Sequence, residues 1–474
     1  MAITSLGLGS GLDVNSIVEQ LVSLERRPIE QLATQKTTLQ SKLSAFGLMQ
    51  SYTVNVQDAV GRLTNAKLWT QTKATTADAT AVTVATTGTP ASGSYNVQVS
   101  QLAQTQTLAS SAFASKTSNV GAGTLKIELG AWDAGLTSFT PKSGATSVDV
   151  VIAPGEDTLE QVRDKINAAN AGVTASIVTD ASGARLALRS TATGAENAVR
   201  ITSTGDASLQ ALSFDPPAGG TQMAQKQAAK NALATVDGVE LTSSTNTFDG
   251  AAEGLKFTAA KVTTTPVRIS VGTDTEAMRK AVDDFVKAYN DISKYISTQT
   301  KYDEETKVAG ALQGDRSSLS LQSQLRAAVT QSSSASSVFG RLSDIGLEMQ
   351  RDGTLKLDEG KFSDAMGKLD ELGKAFSNDV EGTAQDGFGV RLKALTTSLL
   401  DSDGLVAARS EALRNSIKRN DEQQAKMEDR VALVQQRLLR QYGALDTTMS
   451  KLNGLNSYVS QQMAALAKNS GNNN

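Results

Sequence analysis

Apolar positions recur along this chain with two periods, and the change of period divides it into three regions. In the first region, Ile17, Leu21 and Leu24 step at helical spacing. Leu32, Leu39, Leu43 and Phe46 resume that face, with Tyr52, Val56, Val60 and Leu63 beyond it. Asp13 or Asn15 can cap the helix, and Pro28 predicts a kink or restart, with Arg27 pushed out of the α region. The last region carries the strongest periodicity. Met427, Val431, Val434, Leu438, Tyr442, Leu445, Met449 and Leu452 step by four and three, and Leu455, Val459, Met463 and Leu466 follow after an irregular step. This is an a/d-type seam of about five heptads, with an interruption expected near Gly454. The tail after Lys468 is polar and Asn-rich.

Between Thr70 and Gly272 the period falls to two. Tyr95, Val97 and Val99 alternate with polar neighbours, as do Leu125, Ile127 and Leu129, and Val148, Val150 and Ile152. Val173–Val178 and Ala184–Leu188 flank Asp180-Ala181-Ser182-Gly183, which predicts a hairpin. Thr158 with Gln161 forms a capping-box pattern ahead of a helix faced by Leu159, Val162 and Ile166. Val236–Leu241, Leu255–Ala259 and Val267–Val271 are expected as later strands. Helix returns at Asp274 or Thr275, where Met278, Val282, Phe285, Tyr289, Ile292 and Ile296 form one stripe. A second helix is expected over Ser317–Val329 and a hairpin at Asp352-Gly353, with more helix to about Leu400.

Helix, strands, helix is therefore the order. A lone amphipathic helix is marginal in water, so the simplest fold pairs the two ends. The fold class expected is α+β: a helical coiled-coil stalk formed by both termini, with inserted β-rich head domains. Tandem independent domains would leave both end stripes needing other partners.

Composition narrows the chemistry. The chain has 474 residues, enough for about two to four domains. Its 46 basic and 49 acidic side chains nearly balance, so no global field favours nucleic acid or an anionic membrane. With neither Cys nor His, disulfides, thiol or His-based catalysis and most zinc sites are excluded. No cofactor is expected. No segment is long and apolar enough to insert in a membrane. Met1 to Asn15 lacks the features of a cleaved signal peptide, so export would need another route.

The remaining motifs offer little. Gly7-x-Gly9-x-Gly11 follows no strand and lacks phosphate-loop spacing. Asp401-Ser402-Asp403-Gly404 fails calcium-loop spacing and fits an inter-helix turn. Asp283-Asp284 and Asp303-Glu304-Glu305 fit solvated surface. Arg409, Arg414, Lys418 and Arg419 are interleaved with acids and lack an aromatic platform, so they too fit a solvated helix face. The terminal seams serve equally well as an intramolecular bundle core or as docking surface.

Gly7-Leu8-Gly9-Ser10-Gly11-Leu12-Asp13-Val14-Asn15-Ser16-Ile17-Val18, with Leu21 and Pro28-Ile29, resembles the N-terminal signature of the flagellar hook-associated protein 2 family, the caps of bacterial flagellar filaments. Gly93 to Ala103 is similar to the family's next segment. Thr158 to Asn167, with the hairpin from Val173 to Leu188, resembles a repeat shared by flagellins and hook-associated proteins. Ala234 to Val239, Phe285 to Asn290, and Leu342 to Leu347 with Asp352-Gly353, fit the C-terminal region. The motifs occur in the family's order over almost the whole chain.

The resemblance implies a non-enzymatic capping protein at the distal end of the filament, which promotes folding and insertion of exported flagellin and prevents its loss. The implied partners are further copies in a ring-like homo-oligomer, flagellin, and the flagellar export chaperone and export apparatus. It implies a leg from 1–45 and 405–474, a helical domain from 46–74 and 273–404, and a head from 75–113, 114–227 and 228–272. The leg and assembly residues expected are Ile17, Leu21, Leu24, Leu32 and Leu39, with Met427, Val431, Val434, Leu438, Tyr442, Leu445, Met449, Leu452, Val459, Met463 and Leu466. A flagellin-like or junction subunit is the alternative, possible with an adhesive head; a carboxylate-based glycosidase finds no convergent acid pair.

Overall fold

A computed structural model describes residues 13–219, 222–305, 307–380 and 382–470. The Gly7 to Leu12 part of the N-terminal motif and the last four residues of the Asn-rich tail lie outside that set. Nine helices are described: α1 (Val14–Leu63), α2 (Ala66–Thr70), α3 (Leu159–Ala168), α4 (Thr275–Thr300), α5 (Arg316–Thr330), α6 (Glu359–Met366), α7 (Leu369–Ser377), α8 (Phe388–Leu400) and α9 (Leu405–Ser470). The chain forms two compact units, one from residues 1–69 and 275–474, the other from 70–274. The architecture is α+β, with a long N-terminal helix packed on a long C-terminal helix and β-sheets between them in sequence.

In the helical unit, Asp13 caps α1 by accepting the Ser16 N–H at 3.0 Å. Pro28 neither kinks nor restarts this helix, which runs through it unbroken. The ring forfeits one N–H, whose partner would be the Leu24 carbonyl; Leu24 is 52% exposed, so water can reach that side. Gly454 likewise leaves α9 uninterrupted. A lone glycine costs a helix only about 1 kcal/mol.

The α4 stripe is buried as its spacing predicts: Met278, Val282, Phe285, Tyr289, Ile292 and Ile296 enter one core with Phe46, Met49, Val56, Val60 and Leu63 of α1. Fully burying each such side chain contributes about 1.5–3 kcal/mol. Trp69 stacks on Phe376 with ring centroids 5.2 Å apart and donates its indole N–H to the Leu63 carbonyl at 3.0 Å. The hairpin of Leu347–Met349 with Leu355–Leu357 docks on α4 through Asn290. Its turn needs Gly353, whose φ is +85°.

The middle unit is antiparallel throughout and holds two apolar cores. One lies under a five-stranded sheet ordered Thr72–Thr76, Val267–Thr273, Gly93–Gln101, Ala232–Val236 and Val239–Ser243, together with a three-stranded sheet. The expected strand over Val236–Leu241 is not one strand. Asp237 and Gly238 have φ of +49° and +88°, the two left-handed positions of a type I′ turn, and the chain reverses there. Asp-Gly between apolar alternations is itself a hairpin signal, and here it outweighs the alternation.

The other core contains Leu125, Ile127, Val150, Ile152, Leu186 and Leu188 from two four-stranded sheets, with Leu159, Val162 and Ile166 of α3. The Thr158–Gln161 capping box forms as read. The Asp180 to Gly183 hairpin turns through Ala181 and Ser182. Ile177 is only half-buried at the edge of this core.

Candidate assembly surface

Among the described residues no cluster of metal-ligating side chains forms, and no helix is long and apolar enough to cross a membrane. The acidic pair Asp283-Asp284 is engaged by cations. Asp284 lies 2.9 Å from Arg62 and 3.1 Å from Lys280, and Asp283 lies 3.4 Å from Arg279. The Asp401 to Gly404 segment is an inter-helix turn, closed by the Gly404 N–H on the Asp401 carbonyl at 2.9 Å. Among the described residues these groups form ion pairs and turns, and the terminal helices are the candidate surface.

The start of α9 is anchored in the helical core. Val406 and Leu413 are buried there. Arg409 is not part of a solvated face, as the sequence pattern suggested: its guanidinium lies 2.7 Å from Asp315, whose side chain is 1% exposed. Asp315 also caps α5 by accepting the Ser317 and Ser318 N–H groups at 3.0 and 3.2 Å. Burial pushes this carboxyl up, but the Arg409 bond and the two amide bonds outweigh it and hold the acid below its ordinary value.

Further along, α9 lies against α1. Val14, Val18 and Val22 of α1 are buried against Val431, with Ile29, Leu438, Leu439 and Tyr442 packed around them. The buried α1 face thus sits one residue away from the expected one. Ile17 and Leu21 are half-buried beside it, and Leu24 is exposed. Val14, Val18, Val22 and Ile29 are also periodic, and the two faces differ by one residue, so periodicity alone does not choose between them. Leu32 and Leu39 are half-buried on α1, as are Met427 and Val434 on α9.

Beyond Tyr442 the picture changes. Leu445, Met449, Leu452, Val459, Met463 and Leu466 are exposed, with Leu455 and Tyr458 beside them. Their exposure runs from 36% at Met449 to 64% at Met463, far above that of the buried Val431 at 4%. The C-terminal seam therefore divides. Its first part covers α1, and its second offers apolar side chains to solvent, on the same helix and continuous with the first. Large contiguous apolar patches on a protein surface mark interaction sites.

Comparison with known proteins adds an independent line. Family models described as flagellar hook-associated protein 2 N-terminus and C-terminus match residues 10–106 and 229–454, and one described as the flagellin hook IN motif matches 138–192. The flagellar hook-associated protein 2 of Escherichia coli is 31% identical over 97% of this chain and 98% of its own length. The B-type flagellar hook-associated protein 2 of Pseudomonas aeruginosa is 30% identical over 99% of both chains. Among solved structures, the flagellar cap protein FliD of Escherichia coli, comprising its three domains D1 to D3, superposes with a TM-score of 0.60 at 30% identity. It covers 78% of this chain and 99% of that one.

Proposed function

Because the chain belongs to the flagellar hook-associated protein 2 family, as a structural cap protein working outside the cell at the flagellar filament tip, we propose that its terminal helices hold the cap to the filament while flagellin is inserted. The observation that carries this is the exposed apolar run of α9 at Leu445, Met449, Leu452, Val459 and Met463. Such a run in water favours cover by another apolar helix face. Its residues are aliphatic and thioether side chains, which pack adaptably and release without breaking ion pairs. That suits contacts remade each time a subunit enters.

The partners of this reading are further copies of the chain in a closed ring, flagellin, and the flagellar export chaperone and export apparatus that deliver the chain. Ile17, Leu21, Leu24, Leu32, Leu39, Met427, Val431, Val434, Leu438, Tyr442 and Leu466 belong to the same leg. We assign residues 1–45 with 405–474 to that leg, 46–74 with 273–404 to the helical domain, and 75–113, 114–227 and 228–272 to the head, although the strand Thr72–Thr76 joins the head's sheet and Val406 and Leu413 enter the helical core. Promotion of flagellin folding and retention of subunits follow from holding a cover over the growing end.

Electron microscopy of the purified full-length chain tests the assembly. Closed rings of a fixed copy number support it, whereas long fibres would identify a filament-type subunit instead.

A further inference from the structure

We propose that the α1–α9 pair contains a joint: a polar layer of Lys36, Asn420 and Asp421 that lets the segment beyond it open while the helical core stays closed. Val406, Leu413 and Asn420 follow one another at seven-residue spacing on α9 and are 0%, 2% and 5% exposed. The first two are core residues. The third places an amide where the heptad calls for an apolar side chain, and its Oδ1 is buried with no hydrogen-bond partner. A buried acceptor left unpaired favours states in which water can reach it.

Lys36 makes the matching interruption on α1, between the half-buried Leu32 and Leu39. Its Nζ forms an ion pair with Asp421 Oδ1 at 2.8 Å, the two side chains being 35% and 45% exposed, so charge rather than apolar contact joins the helices at this level. Surface grooves flank the helix pair just beyond this layer. A groove of about 380 Å³ is lined by Arg26, Ile29, Glu428 and Val431. A second, of about 540 Å³, is lined by Pro28, Leu32, Met427 and Arg430.

The layer thus separates two apolar clusters of unequal size. On one side lies the large helical core, reaching Leu39 and Leu43 on α1 and Leu413 on α9. On the other, Val14, Val18, Val22 and Val431 are the buried members. Regions with few buried contacts open sub-globally while the rest remains folded. Opening at this joint exposes those four valines in addition to the apolar run already facing solvent. The inference concerns the stability of the pair and does not depend on what the pair binds.

Hydrogen exchange of the full-length chain, read by mass spectrometry, tests the joint. Asn420→Leu should slow exchange across residues 14–32 by roughly tenfold or more, the factor expected for removing one buried unpaired acceptor. Residues 45–63 should be unchanged. The double substitution Lys36→Met with Asp421→Leu should act in the same direction, and decides the matter if Asn420→Leu misfolds. Equal slowing on both sides of the layer, or none on the distal side, would overturn the proposal.

Discussion

Asn290→Ala should selectively weaken the helical unit. The Asn290 side chain works as a one-residue strand. Its Nδ2 donates to the Leu355 carbonyl at 2.8 Å, and its Oδ1 accepts the Leu355 N–H at 2.6 Å. Leu355 pairs with Met349 across the hairpin but turns both backbone groups toward α4, and its residue is 3% exposed. Truncation leaves one donor and one acceptor unpaired. Each costs about 1–3 kcal/mol when buried. Asn290 itself is half-buried, so water can recover part of the loss, and about 2–3 kcal/mol is expected. On α4 the Ser293 hydroxyl also ties the hairpin, donating to the Gly353 carbonyl at 2.8 Å, while Arg326 and Lys361 reach its Asp352 carbonyl and Glu348 side chain from neighbouring elements. Ser293→Ala should therefore couple with Asn290→Ala in a double-mutant cycle. The two tryptophans make the assay specific, since Trp69 lies in the helical core and Trp132 packs on the core around α3. With Trp132→Phe as background, denaturant unfolding followed at Trp69 should shift by the expected amount. A shift below about 0.5 kcal/mol, the usual surface range, would refute the clamp, as would an equal shift of the Trp132 transition in the complementary background.

Ile166→Ala should cost about 2–5 kcal/mol in the Trp132 transition, because Ile166 is fully buried; half-buried Ile177→Ala should fall clearly below it. Leu438→Asp places a carboxylate beside the valine cluster and should abolish exchange protection at residues 14–32 while both tryptophan transitions stay in place. The Glu371 carboxyl is held down to about 2 by hydrogen bonds from Lys374, the Ser336 hydroxyl and the Ser337 N–H. A depressed carboxylate stabilises fully above its ordinary value of 4.5 and loses that contribution as pH falls toward 2. Amides of Ser337 and Phe339 should therefore lose protection across that window, and Glu371→Gln should remove the dependence.

The sequence was most legible where a local signal agreed with the tertiary demand. The α4 stripe, the Thr158 capping box and the Asp352-Gly353 hairpin were all read from neighbours a few residues apart, and the packing they predict is what forms. At two places one local signal competes with another. Alternation across Val236–Leu241 competes with the Asp237-Gly238 turn, which prevails, and Pro28 sits within a helix that continues unbroken on both sides of it. Other features were out of reach because their partners lie far away in sequence. Asn290 serves Leu355, and Arg409 serves Asp315. The division of the C-terminal seam is of this kind too. Val431 and Met463 look alike as periodic apolar residues, and which of them packs on α1 depends on tertiary placement that the local pattern does not carry.

The capping account is tested most directly in cells that make this chain without the exposed part of its seam. A truncation at Leu405 would strip Val406 and Leu413 from the helical core, so the deletion should begin after Tyr442, where α9 leaves the valine cluster. Flagellin released unpolymerised into the medium is the quantity to measure, with export of the shortened chain confirmed. The account predicts abundant free flagellin, short or absent filaments and poor swimming, all restored by the full-length chain. Normal filaments with no excess of free flagellin would contradict it.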